Sequence, residues 1–187
     1  MKYEKFSDEE LVLYIVQNRG KGFEAIIDRY QAKLLRYVNT MCKDPESAED
    51  IIQETFISAY QNINSFDIKR KFSSWIYRIA HNKAINEIRK NKNKISIDDI
   101  AEVASPKDSG VLSKELDQKQ AREMLEKIID TLSERYRGPL ILRFFEEKTY
   151  EEISDILQLP VSTVGVRIKR GTAKIKTLSN LRIEDYL

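Results

Sequence analysis

Residues 149–176 contain two short helical patterns joined by a tight turn, and the second pattern is rich in cations. Thr149 and Glu152 have the spacing of a capping box, which predicts a helix start. Pro160 disfavours helical backbone at Leu159 and so predicts a break. A helix of ordinary diameter fits the DNA major groove, and this segment therefore predicts a DNA-binding helix–turn–helix. The outward cations of its second helix are Arg167, Lys169, Arg170 and Lys174.

Charge in this segment favours nucleic acid over the alternative, an ordinary helical hairpin with a solvated basic face. No acidic residue lies between Asp155 and Glu184, whereas a surface that serves only solubility usually mixes both signs. A second basic segment, residues 66–94, holds nine Lys and Arg residues against two acids. Residues 95–118 between them hold six acids and two lysines. This alternation predicts two nucleic-acid contacts joined by an acidic connector.

Composition excludes several other classes of protein. The single cysteine, Cys42, precludes an intrachain disulfide, and with the single histidine, His81, it cannot form a zinc site without several carboxylates. The sequence shows no phosphate-binding glycine loop and no activated nucleophile, so we expect no catalytic residue, metal or cofactor. Without a membrane-spanning run or a signal-peptide core, we expect a cytoplasmic protein. Cys42 has apolar neighbours, which favours a buried structural thiol.

Apolar residues recur at helical spacing almost throughout, which predicts an all-α chain. We expect an N-terminal domain over residues 1–94, a flexible acidic linker over 95–118 and a second helical domain over 119–187. Ser7 with Glu10, and Asp44 with Pro45, predict two further helix starts.

The helix predicted after residue 71 has a buried stripe and a polar ridge. The spacing of Trp75 predicts a core position, and Tyr77 is the better candidate for an exposed aromatic side chain. The ridge, at i, i+4, i+8 and i+11, consists of Arg78, Asn82, Asn86 and Arg89.

Three blocks together resemble the extracytoplasmic-function (ECF) sigma factors of the sigma-70 family. Residues 20–60 resemble the core-binding part of sigma region 2, residues 66–90 its promoter-melting part, and residues 132–176 region 4. The resemblance covers nearly the whole chain. It implies two helical domains, no enzymatic activity, and core RNA polymerase and promoter DNA as partners. An anti-sigma factor is a further implied partner, and a stress or envelope response the implied context.

The same resemblance implies the contacts with polymerase. The residues that would bind the clamp helices of its largest subunit are Asp50, Gln53, Glu54 and Ile57. Leu140, Ile141 and Phe144 are candidates for contact with the flap, although as apolar residues they are more typical of a core. The linker would thread toward the active cleft; a tether without contacts is the alternative.

Promoter contacts follow by the same resemblance. Those with the −10 element, including a flipped base held by the loop, would come from Asn64, Ser65, Phe66, Lys69, Arg70, Lys71, Arg78, Asn82 and Arg89. Those with the −35 element would come from Ser162, Thr163, Val166, Arg167, Lys169, Arg170 and Lys174. Arg170 is the first choice for pairing with guanine, and Arg167 and Lys174 suit phosphates.

Gly165 departs from the family pattern, which usually has Lys or Arg there, and so leaves the −35 sequence open. A free-standing helix–turn–helix regulator is the alternative function, but it leaves the N-terminal basic ridge unused. We also expect the two domains to close on each other in the absence of polymerase and to hide their basic faces.

Overall fold

The computed structural model describes residues 3–94 and 118–179. Within these ranges the chain forms α-helices, one short 3-10 helix at Ile63–Ser65 and no strand, which confirms the all-α prediction. Residues 95–117, which include nearly all of the predicted linker, lie outside the described ranges. The helices are α1 (Asp8–Gln17), α2 (Phe23–Cys42), α3 (Pro45–Asn62), α4 (Phe72–Lys94), α5 (Gln118–Thr131), α6 (Glu134–Phe144), α7 (Tyr150–Leu157) and α8 (Val161–Ser179).

Local capping signals set several of these helix starts. Both predicted capping boxes are present: the Ser7 hydroxyl accepts from the Glu10 backbone N–H, and the Thr149 hydroxyl from that of Glu152. α3 begins at Pro45 as predicted, but Asp44 caps no backbone group and instead accepts from the Ser47 hydroxyl. The rigid proline at the first helical position is therefore the stronger signal at this start.

In the first domain, α1, α3 and α4 pack around α2. Leu34, Tyr37 and Val38 on α2 are fully buried, with α3 on one side and α4 on another. At the start of α4, the rings of Phe66, Phe72 and Trp75 contact one another with centroids 5.4–5.5 Å apart. Trp75 is thus half-buried against the core, as its spacing predicted.

The last four helices form a second layer in which α6 packs closely on α8. A Cβ atom added to Gly171 would lie 2.8 Å from Leu140 Cδ1, so the glycine permits this approach. Leu140 and Ile141 are fully buried, which favours the core interpretation for both of them. None of the helices in the described ranges is long and apolar enough to cross a membrane.

The two helical layers contact each other directly. α4 packs against α7, and α2 packs against α6. Across this boundary the Arg137 guanidinium, itself buried, donates from Nη1 to the Thr40 carbonyl oxygen at 2.8 Å. The interface therefore brings residues of the predicted −10 surface beside the helix–turn–helix.

Candidate nucleic-acid interface

The helix–turn–helix consists of α7, a left-handed turn residue at Gln158, and α8. Val164 and Ile168 are buried and fix the rotation of α8. Lys169 and Arg170 are consequently exposed, and Arg167 is partly exposed. The prediction that domain closure hides both basic faces is therefore wrong for α8.

Gly165 faces α7. A Cβ atom at this position would lie 3.6 Å from the Tyr150 ring, an ordinary contact, so packing does not require glycine there. The Arg143 guanidinium carbon lies 5.7 Å from the centroid of the same ring. The side of α8 that carries Gly165 thus lies beside an arginine stacked on an aromatic ring.

The predicted −10 loop presents its polar groups to solvent. Asp67 forms a turn by accepting the Lys69 N–H on its side chain and the Arg70 N–H on its carbonyl oxygen, at 3.0 and 2.9 Å. Phe66 is only partly exposed, because it packs on Phe72 and Trp75. The other loop residues of the predicted set are exposed: Asn64, Ser65, Lys69, Arg70 and Lys71.

Some residues of the polar ridge on α4 contact the other domain, and others are exposed to solvent. Arg78 Nη1 donates to Asp155 Oδ1 of α7 at 3.2 Å, and Arg70 Nη1 lies 3.7 Å from the same oxygen. Asn82 and Arg89 are exposed. The sequence analysis assigned no role to Asp155. Its position as the last acidic residue before a long cationic stretch was the signal that could have identified it.

The interface between the layers centres on Glu146, whose side chain is only 4% exposed. Its carboxylate accepts from Arg36 Nη2 at 2.6 Å and from the Tyr77 hydroxyl at 2.6 Å. Burial, followed by the Glu146 charge, raises the pKa of Tyr77 well above its ordinary value. Lys148 donates to the Ser73 hydroxyl at 3.0 Å nearby, and burial lowers its pKa.

The prediction of an exposed Tyr77 is therefore wrong, since Tyr77 is 1% exposed. α4 is buried on two sides because α7 covers the surface that the first domain leaves open. The Tyr77 ring packs on Tyr37 of α2 with centroids 5.5 Å apart, and its hydroxyl group donates to Glu146 of the other domain, so contacts with both domains bury it.

A cavity of about 270 Å³ lies farther along the same interface. His81 is one of its lining residues, and its Nδ1 lies 2.8 Å from the Tyr37 hydroxyl oxygen. Burial, followed by the positive charge of Arg167, lowers the pKa of His81 to about 4. The apolar part of this lining includes Met41 and Gly138. Cys42 is partly buried near α4, and burial raises the pKa of its thiol to about 11, consistent with an unreactive thiol.

The predicted polymerase-binding residues lie together on the outer face of α3. Asp50, Gln53 and Glu54 are exposed, and Ile57 is 57% exposed. Tyr60, which was not predicted, extends the apolar part of this face at 48% exposure. Glu54 Oε2 also lies 3.1 Å from Lys83 Nζ of α4, a surface ion pair of small energetic value.

Comparisons with known proteins agree with this arrangement. The family model described as Sigma-70 region 2 matches residues 26–94, and the one described as Sigma-70, region 4 matches residues 122–175. The chain is 39% identical over 171 residues to the ECF RNA polymerase sigma factor SigW of Bacillus subtilis, with 83% of this chain and 87% of that protein covered. It is 35% identical over 185 residues to the ECF RNA polymerase sigma-E factor of Haemophilus influenzae, with 92% and 95% covered.

A solved structure shares the fold: the sigma factor RpoE in complex with the anti-sigma factor NepR from Bartonella quintana. Its TM-score is 0.68 at 22% identity, with 87% of this chain and 99% of that chain covered. Helices that present two cationic surfaces, one on α4 with the loop before it and one on α8, are typical of DNA-binding proteins. The chain belongs to the ECF sigma factors of the sigma-70 family. It is therefore a promoter-directing subunit of RNA polymerase and neither an enzyme nor a free-standing regulator.

Proposed function

We propose that this sigma factor divides promoter-directed initiation among three surfaces. The outer face of α3 binds core RNA polymerase, the loop and ridge before and along α4 bind the melted −10 element, and α8 binds the −35 element. The observation that carries the assignment is the separation of two cationic surfaces, on α4 and α8, from an acidic and apolar face on α3. Polymerase performs the chemistry, and this chain supplies position and strand separation.

The polymerase surface is supported by its composition. Ile57 and Tyr60 are large apolar side chains held in solvent, and Asp50 and Glu54 lie beside them. An exposed apolar centre with a charged rim is typical of a protein–protein interface. The clamp helices of the largest polymerase subunit are the proposed partner, and the acids on α3 suit a cationic partner surface.

The DNA surfaces are supported by charge and exposure. Lys69, Arg70 and Lys71 hold phosphates of the melted strand, whereas Arg170 contacts base edges of the −35 element. Asn82 and Arg89 track the single strand along α4. Duplex recognition and strand capture thus take place on different domains.

We further propose a cytoplasmic location and control by an anti-sigma factor during an envelope stress response. A structural relative was solved with the anti-sigma factor NepR, and CnrH, at a TM-score of 0.65 and 21% identity, was solved with the cytosolic domain of CnrY. We expect a binding partner to co-purify with this chain from unstressed cells and to be absent after envelope stress.

Transcription from a genomic DNA library by core polymerase tests the main proposal. We expect new transcripts only when this chain is added, and we expect them to share a two-part motif upstream. Ile57→Ala should reduce binding to core polymerase without altering the thermal midpoint, because Ile57 is exposed. Leu13→Ala on α1, 44% exposed in the wild type, is the matched control and should bind core normally. Failure to bind core and to produce transcripts would contradict the proposal.

A further inference from the structure

A recess of about 330 Å³ lies between α6 and the start of α8. Five of the seven residues predicted to contact the −35 element line it. The recess also has two lining residues from α6, Arg135 and Tyr136, that neither the motif nor the family resemblance singled out. The five from α8 are Ser162, Thr163, Val166, Arg167 and Arg170.

Three arginines from two helices therefore line one recess. Arg135, Arg167 and Arg170 form no ion pair with any other residue in the part of the chain that the structure describes. The hydroxyl groups of Ser162 and Thr163 lie on the same lining. The lining of this recess has no acidic residue, although Glu134 lines the neighbouring cavity together with Arg135 and Arg167. Like charges on one lining repel each other, and a ligand of opposite sign relieves that repulsion.

Tyr136 positions the cations at the α6 side. Its ring is 6% exposed, and the Arg135 guanidinium carbon lies 4.9 Å from the ring centroid. Lys174 Nζ of α8 lies 5.9 Å from the same centroid. One buried ring thus orders a cation from each helix, and Lys174 is the sixth of the predicted −35 residues to belong to this surface.

We propose that this recess binds one backbone phosphate at the edge of the −35 element, and that Arg135 is a DNA-positioning residue contributed by α6. The inference rests on the proposed function of α8. A planar guanidinium can hold two phosphate oxygens at once, and the hydroxyl groups can donate to the remaining oxygens. The contact carries no base information, so Arg135 fixes the angle of α8 in the groove while Arg170 reads sequence.

The test is the salt dependence of promoter binding by holoenzyme containing Arg135→Gln. Promoter duplex found in the library transcription experiment is the probe, measured from low to moderate salt. We expect about three- to tenfold weaker binding at low salt, and a slope of log affinity against log salt that is about 0.9 smaller in magnitude. The same factor should apply to a duplex with a substituted −35 base, because a phosphate contact is independent of sequence.

Two matched variants keep the result interpretable. Lys127→Gln removes an exposed cation of α5 outside the recess and should leave the slope unchanged. Arg135→Lys retains the charge and should restore most of the slope. An unchanged slope for Arg135→Gln, with normal initiation by wild-type holoenzyme, would overturn this inference alone. Absence of initiation by wild-type holoenzyme would instead overturn the proposed function.

Discussion

The two cationic surfaces of this chain differ in what they contact. On α4 and the loop before it, Arg78 and Arg70 lie against Asp155 of the other domain. On α8, Arg167 and Arg170 face a recess without an acidic lining residue. Under the proposed function, the α8 surface is accessible to duplex DNA in this arrangement, whereas Arg78 on α4 is paired with the other domain and we expect it to become available when the domains separate. This order suits a protein whose −10 contacts require melted DNA.

Removing the central acceptor of the interface should produce the largest effect. In Glu146→Ala, Arg36 and Tyr77 lose their shared partner. We expect the free energy of unfolding to fall by about 2–3 kcal/mol, below the full cost of a broken buried pair because Arg36 is partly exposed. Urea titration and small-angle X-ray scattering should show lower stability and a larger radius of gyration. Glu147→Ala, at the exposed neighbour, is the control; an equal effect there would contradict a specific role for Glu146.

Acid should weaken the interface through His81. Its pKa is lowered from 6.5 to about 4 in the folded chain, so the unfolded chain binds this proton more tightly. The contribution of His81 to the free energy of unfolding is fully present above pH 6.5. It falls by up to about 1.4 kcal/mol per pH unit as the pH decreases toward 4, and it is lost below pH 4. The charged and titratable side chains around it in the cavity are Arg89, Glu134, Arg135 and Arg167, and the Tyr37 hydroxyl contacts its ring.

Urea titrations at pH 7.5 and 5 should therefore show a smaller pH dependence for His81→Gln than for the wild type. Glutamine remains neutral over this range and can still accept from the Tyr37 hydroxyl. Identical pH dependence in the two proteins would exclude His81 as the source.

Replacing Asp155 should leave the arginines of the α4 surface without an acidic partner, as those of the α8 surface are. In Asp155→Asn, Arg70 and Arg78 lose their internal counterion. We expect the isolated protein to bind single-stranded −10 DNA about fivefold more tightly, equivalent to about 1 kcal/mol for a partly exposed ion pair. Fluorescence anisotropy measures this change, and rising salt should reduce it. Glu151→Gln removes an exposed charge from the same helix; a similar gain there would show only a change in net charge.

A small change within α8 tests whether its surface is independent of the interface. Gly165→Ala places a methyl group at ordinary distance from Tyr150 and should stabilise the protein by about 0.5–1 kcal/mol through helix propensity. Gly171→Ala is the contrasting variant and should destabilise it, because its Cβ would lie 2.8 Å from Leu140. Thermal unfolding distinguishes the two. Destabilisation by Gly165→Ala would contradict an ordinary contact of 3.6 Å between the added methyl group and Tyr150.

Local signals in the sequence predicted most of the fold. Helix starts are specified locally, by the hydrogen bonds of the capping residues Ser7 and Thr149 and by the fixed dihedral angle of Pro45. The sequence around each start is therefore sufficient to predict it. The burial of Tyr77 could not be predicted in this way, because the residues that cover it, Tyr37 and Glu146, are 40 and 69 residues away in the sequence. The proposed DNA-positioning role of Arg135 could not be predicted for the same reason, because it depends on the orientation of α6 against α8.

The Asp155 carboxylate resembles a DNA phosphate in charge and in the atoms that it offers to arginine. A cell contains far more random DNA than promoters, and every exposed arginine is a means of being trapped on it. Asp155 gives Arg70 and Arg78 an internal substitute for phosphate, and under the proposed function we expect this to reduce the attraction of the isolated chain to bulk DNA. We then expect more of the unbound population to stay in solution, where it can meet polymerase before it searches the genome.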